Sequence, residues 1–130
     1  MFYVGLPTQP YFQAIYSDGT GILRGQYVPW SSVRVNRGSA YNASTRLYTC
    51  PIGGIYFVSC TAVRNTGYTA GSGDSFAINR NGVSYFQSYY SSTVVGTVEA
   101  AAGDTLGFYY SNDGGTYYLR ECYGSIWFLG

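Results

Sequence analysis

Ile55-Tyr56-Phe57-Val58-Ser59-Cys60-Thr61-Ala62-Val63 is the stretch whose reading decides the fold. It is rich in β-branched and aromatic residues, which fit a pleated surface better than a helix. Apolar side chains fall on both of its faces, so it reads as a strand at the centre of a sheet, buried on both sides.

Short β-prone runs lie on either side of it, separated by Gly, Asn, Asp and Ser. Upstream, Tyr11 to Tyr16 is closed by Ser17-Asp18-Gly19, and a weak run covers Gly21 to Arg24. Tyr27 and Val28 end at Pro29-Trp30, Ser32 to Val35 alternates, and Asn36-Arg37-Gly38 turns the chain. Tyr41 to Arg46 reads as a polar connection, and Leu47 to Thr49 as a short strand stopped by Pro51. Downstream, Gly67 to Asp74 is loop, and Phe76 to Phe86 is a hairpin turned by Asn81-Gly82. Ser91 to Val98, Leu106 to Tyr110, Tyr117 to Leu119 and Ser125 to Leu129 complete about eight to ten strands. The pattern is that of an all-β, antiparallel two-sheet sandwich.

Composition narrows the function. The 130 residues carry a formal net charge of +1, with 10% charged and 19% aromatic. There is no Lys, and the seven Arg are scattered from Arg24 to Arg120, so no basic groove for nucleic acid is present. With no His, the usual general base and commonest metal ligand are missing. Asp18, Asp74, Glu99, Asp104, Asp113 and Glu121 are dispersed, and the Gly-rich stretches lack a phosphate-loop Lys. Asp74, Asn112 and Asp113 match no calcium loop. The reading is a non-enzymatic chain with no cofactor and no metal. Cys50, Cys60 and Cys122 lack C-x-x-C spacing and read as three thiols, at least partly buried. No apolar run reaches the roughly 18 residues of a spanning helix. Residues 1–7 do not form a signal peptide.

Four motifs occur in an order that resembles the C1q/TNF-like jelly-roll family, its C1q branch in particular. Asn36 to Ser59 resembles that family's N-x-G-x-x-Y-N, T-G-x-F-x-x-P and G-x-Y-x-F; Asn79-Arg80-Asn81-Gly82 resembles its N-G hairpin. Ala102-Gly103-Asp104-Thr105-Leu106 resembles A-G-D-x-[LV], and Tyr123 to Leu129 resembles the last strand, F-x-G-x-x-L. Arg46 departs from the pattern, standing where the family has Gly. The resemblance implies a trimeric jelly roll over residues 11–130, preceded by an arm of residues 1–10. It also implies that the sheet carrying the first, central and last strands faces the three-fold axis.

Alternation then places Phe57, Ser59, Cys122, Ile126 and Phe128 toward neighbouring subunits, and Tyr56, Val58, Cys60, Tyr123, Trp127 and Leu129 inside the sandwich. Cys60 and Cys122 would lie on opposite faces of adjacent strands, unbonded.

The format, with its own Met and neither signal nor stalk, points to a virion component made in the host cytoplasm: a phage capsid decoration protein. The homotrimer would hold viral capsid protein through the arm residues Phe2, Tyr3, Val4 and Leu6. An alternative is the receptor-binding head of a tail fibre or spike, with Tyr68, Tyr89, Tyr90, Tyr117 and Tyr118 meeting a host-surface carbohydrate or protein. A further alternative is a secreted C1q-like ligand, for which Asn42-Ala43-Ser44 fits a glycan acceptor.

Overall fold

The computed structural model describes residues 9–17, 25–64, 75–89, 93–111 and 119–130. Within them are eleven strands and no helix: β1 (Tyr11–Tyr16), β2 (Gln26–Tyr27), β3 (Ser32–Arg37), β4 (Tyr41–Asn42), β5 (Leu47–Thr49), β6 (Gly54–Arg64), β7 (Ser75–Arg80), β8 (Val83–Tyr89), β9 (Thr93–Ala100), β10 (Thr105–Ser111) and β11 (Leu119–Phe128). They form an antiparallel two-sheet jelly roll. One sheet has the order β3-β1-β11-β6-β9 and the other β4-β5-β10-β7-β8, with β2 pairing β10. The first, central and last strands do share a sheet.

Phe12, Ala14, Tyr16, Tyr56, Val58, Cys60 and Val98 fill the core from the first sheet, and Tyr48, Phe76, Ile78, Leu106, Phe108 and Tyr110 from the second. Interior glycines let rings close on the backbone. A Cβ at Gly124 would sit 2.3 Å from the Trp30 ring, and one at Gly96 would sit 2.7 Å from Phe86.

The motif turns are built by local hydrogen bonds. Asn36 Oδ1 accepts from the N–H groups of Ala40 and Tyr41 at 3.1 Å. Asn81 and Gly82 take the positive φ values of 52° and 79° that a tight hairpin requires. The carboxylate of Asp104 accepts from Asn81 Nδ2 at 3.0 Å and from Ala101 N–H at 2.9 Å, while Asn81 Oδ1 accepts from Thr105 N–H. The N-G and A-G-D motifs are therefore two halves of one clasp. Arg46 keeps the left-handed conformation that glycine favours, at φ 63°, so the departure changes the residue and not the turn.

The run Gly21 to Arg24 and the loop Gly67 to Asp74 lie outside the described residues. Other sequence expectations are corrected. Tyr41 and Asn42 form a strand within the expected polar connection. Leu119 to Phe128 is one continuous strand rather than two. Strand β6 is central, between β11 and β9, but only its Tyr56, Val58 and Cys60 face is buried. Ile55 and Thr61 on its other face are exposed.

Candidate interaction face

The open side of the five-stranded sheet is the candidate site, and register alone defines it. Directly opposed residues on antiparallel strands share a face. Phe57 pairs with Trp127, Ser59 with Ser125 and Thr61 with Tyr123. Tyr11 pairs with Trp127 and Gln13 with Ser125, while Arg37 and Val35 pair with Tyr11 and Gln13.

One row is an aromatic ladder. The Arg37 guanidinium lies over the Tyr11 ring at 5.5 Å, Tyr11 meets Trp127 edge-on at 5.8 Å, and Trp127 stacks on Phe57 at 5.0 Å. These cross-strand pairs each add about 0.5–1.5 kcal/mol beyond their buried area. Trp127 nevertheless stays 38% exposed, and Tyr123 and Val95 on the same face are 46% and 56% exposed.

This register corrects the face expected for the last strand. Phe57 and Ser59 do lie on the outer side. Cys122 and Ile126 are buried in the core instead, and Phe128 packs against it, its ring 5.2 Å from Tyr56. Tyr123, Trp127 and Leu129, expected inside, are exposed. The cause is a one-residue slip, which exchanges a strand's two faces. The register is fixed by Trp30 over Gly124 and by closing hydrogen bonds from Phe128 N–H to Pro10 O, Leu129 N–H to Ile55 O and Ile55 N–H to Gly130 O. The sequence did carry the signal: Glu121 and Ser125 belong to the outward set, whereas Cys122, Gly124 and Ile126 are apolar.

The same correction puts Cys60 and Cys122 together on the inner face, where their thiols hydrogen-bond. All three cysteines are free and buried. Burial pushes the Cys60 thiol well above its ordinary range, and burial with the nearby Asp104 carboxylate pushes Cys50 up to about 11. These are inert core thiols, not nucleophiles. Among the described residues, no three His, Cys, Asp or Glu side chains gather as metal ligands, and no helix is long and apolar enough to cross a membrane.

Of the other expected contact residues, Phe2, Tyr3, Val4, Leu6, Tyr68, Tyr90, Tyr117 and Tyr118 lie outside the described residues. Tyr89 is the last residue of β8, paired with Ser75. Asn42 is exposed, and its Oδ1 accepts from the N–H and hydroxyl of Ser44 at 2.9 and 2.6 Å in a local turn.

No family profile matches the chain, and no curated protein sequence matches it. Its likeness is to solved structures. It superposes on the globular domain of zebrafish complement 1qA protein with a TM-score of 0.70 at 14% identity, covering 94% of this chain and 98% of that one. Rabbit GITRL gives a TM-score of 0.59 at 16% identity, over 92% of this chain and 94% of that one. Pika GITRL gives 0.58 at 17%, over 92% and 96%. At such identities the likeness is one of fold, and the fold is the C1q/TNF jelly roll.

Proposed function

We propose that the chain is a non-enzymatic homotrimeric virion protein that decorates and stabilises a phage capsid through protein contacts. The observation that carries the assembly is the Arg37-Tyr11-Trp127-Phe57 ladder, left open on the outside of the five-stranded sheet. Exposed aromatic and aliphatic side chains of this density mark a contact surface. A closed cyclic assembly covers such a face with identical copies of itself, and the jelly-roll likeness favours three.

The strand ends supply a division of labour. Pro10 and Gly130 lie at the end of the sandwich that carries the Asn81–Asp104 clasp. Tyr16, Arg64, Tyr89, Thr93 and Ser111 lie at the opposite end. In the decoration reading, the arm of residues 1–10 grips capsid protein from the first end. With so few charges, apolar contact and shape rather than steering set the affinity. The alternative remains the receptor-binding head of a tail fibre or spike, with Tyr68, Tyr89, Tyr90, Tyr117 and Tyr118 as the contact residues to test.

Sedimentation at micromolar protein tests the trimer, and a monomer would overturn it. Cryo-electron microscopy of particles carrying the chain separates the two roles. Trimers across the shell support decoration, and density at a fibre's distal tip supports receptor binding. Removal of residues 1–8 is expected to abolish shell attachment and leave the trimer intact.

A further inference from the structure

The clasp that ties Asn81 to Asp104 also encloses a reactive dipeptide. Asn81 is the one asparagine of the chain that precedes glycine. Both residues are exposed, and a Cβ built on Gly82 would meet nothing within 4 Å, so nothing crowds this turn from outside. A backbone nitrogen unscreened by a side chain can approach a neighbouring amide closely. Next to asparagine, that amide is then lost by internal attack. The Gly82 nitrogen bonds to Asn81 Cγ, and Nδ2 leaves as ammonia, taking the Gly82 N–H proton. Water opens the cyclic imide at either carbonyl, which restores the N–H and leaves aspartate or isoaspartate.

In the folded chain both polar atoms of the Asn81 side chain are engaged. Nδ2 donates to Asp104 Oδ1 at 3.0 Å, and Oδ1 accepts from Thr105 N–H at 2.9 Å. The Asn81 N–H in turn donates to Thr105 O at 2.9 Å. Closing the imide ring turns the amide out of the clasp, so these bonds oppose the reaction. The product reverses their sense. An ionised acid at this position has no proton to give Asp104, and two carboxylates meet where an amide met one. Asp104 also holds the Ala101 N–H at 2.9 Å, so repulsion there loosens the neighbouring turn along with the hairpin. We propose that Asn81-Gly82 is a self-modification site, whose deamidation the clasp holds back and whose product forces the clasp apart. The clasp joins strands of the six-stranded sheet, so the inference goes beyond the assembly reading and does not depend on it.

The test is peptide mass mapping of the full chain aged in mildly alkaline buffer, reading the conversion of each asparagine to acid. Conversion at Asn81 is expected to be at least about tenfold faster in urea-unfolded than in folded chain, as for release from one charge-assisted hydrogen bond. Folded Asp104→Ala protein is expected to convert Asn81 about tenfold faster than the parent, with the other asparagines unchanged. Asn81→Asp, made directly, is expected to lower the melting midpoint by about 3 °C. Combining Asn81→Asp with Asp104→Asn moves the amide to the other side of the clasp and is expected to recover that loss. Equal Asn81 rates in folded and unfolded chain overturn the inference. So does Asp104→Ala protein that melts like the parent and converts no faster, or an exchange variant no more stable than Asn81→Asp alone.

Discussion

The two sheets of the sandwich treat their outer faces in opposite ways. On the six-stranded sheet the chain covers itself. Ala77 and Asn79 point away from the core yet are 2% and 8% exposed. The Tyr27 ring and Leu47 lie over Gly107, Tyr109 packs edge-on against Tyr27 at 5.3 Å, and Asn79 Nδ2 donates to the Tyr27 hydroxyl at 3.1 Å. The five-stranded sheet carries aromatic side chains on its outer face, and among the described residues no segment lies over them. A face that is covered from within contributes to the stability of one chain. A face left open contributes only when something else arrives, so the two should respond to mutation in different experiments.

The largest effect is expected from uncovering the closed face. A Cβ at Gly107 would stand 2.6 Å from the Tyr27 ring and 2.7 Å from Leu47. Gly107→Val is therefore expected to lower unfolding free energy by about 3 kcal/mol in urea titrations. A shift of under about 0.5 kcal/mol would mean that the cover is loose. Trp127→Asp on the open face is expected to weaken self-association by at least about thirtyfold in sedimentation. Unfolding of the single chain should lose about 1–2 kcal/mol from the ring pairs with Tyr11 and Phe57. If assembly persists unchanged, the open face is not where copies meet.

Smaller is the polar tie of the closed face. Asn79→Ala removes the donor to Tyr27 and is expected to cost about 1 kcal/mol, again by urea titration. Smallest is the clasp that ends this sheet. The Asn81 amide, with the Ala101 N–H and the Arg80 guanidinium, holds the Asp104 carboxyl below its ordinary value. Its folded value lies below its unfolded one, so the stabilisation is fully present above the ordinary carboxylate range. It is lost as pH falls through the lower folded value. Asp104→Asn is expected to flatten the acid limb of a stability–pH curve slightly, and an identical curve would show that the clasp does not titrate.

These contrasts also show which parts of the structure were legible in the sequence. The hairpin at Asn81-Gly82, the turn at Asn36 and the central place of Ile55 to Val63 are written in local chemistry, and local chemistry survives into the fold. The facing of β11 is a matter of register with β6, a long-range property that alternation alone leaves two-fold ambiguous. Glu121 and Ser125 would have resolved it, because charged and hydroxyl side chains seldom share a dry core face. The self-cover of the six-stranded sheet was not legible, since Tyr27 and Gly107 meet only after β2 pairs with β10. Nor was the ladder, for Tyr11, Phe57 and Trp127 are scattered along the chain and become neighbours only when three strands register.

The burial of Cys50, Cys60 and Cys122 gives the molecule a built-in clock. A thiol sealed in the core and held protonated cannot be alkylated until the chain around it opens. Labelling by a maleimide in native buffer therefore counts opening events rather than surface encounters. Cys60 and Cys122 sit on two adjacent interior strands of the five-stranded sheet, and Cys50 lies just after the short strand β5 of the six-stranded one. Their separate labelling rates would time the opening of the two halves of the sandwich. Labelling at Cys50 well ahead of the other pair is expected, because its neighbours β4 and β5 are two and three residues long. Equal rates at all three would instead describe a sandwich that parts in a single stroke.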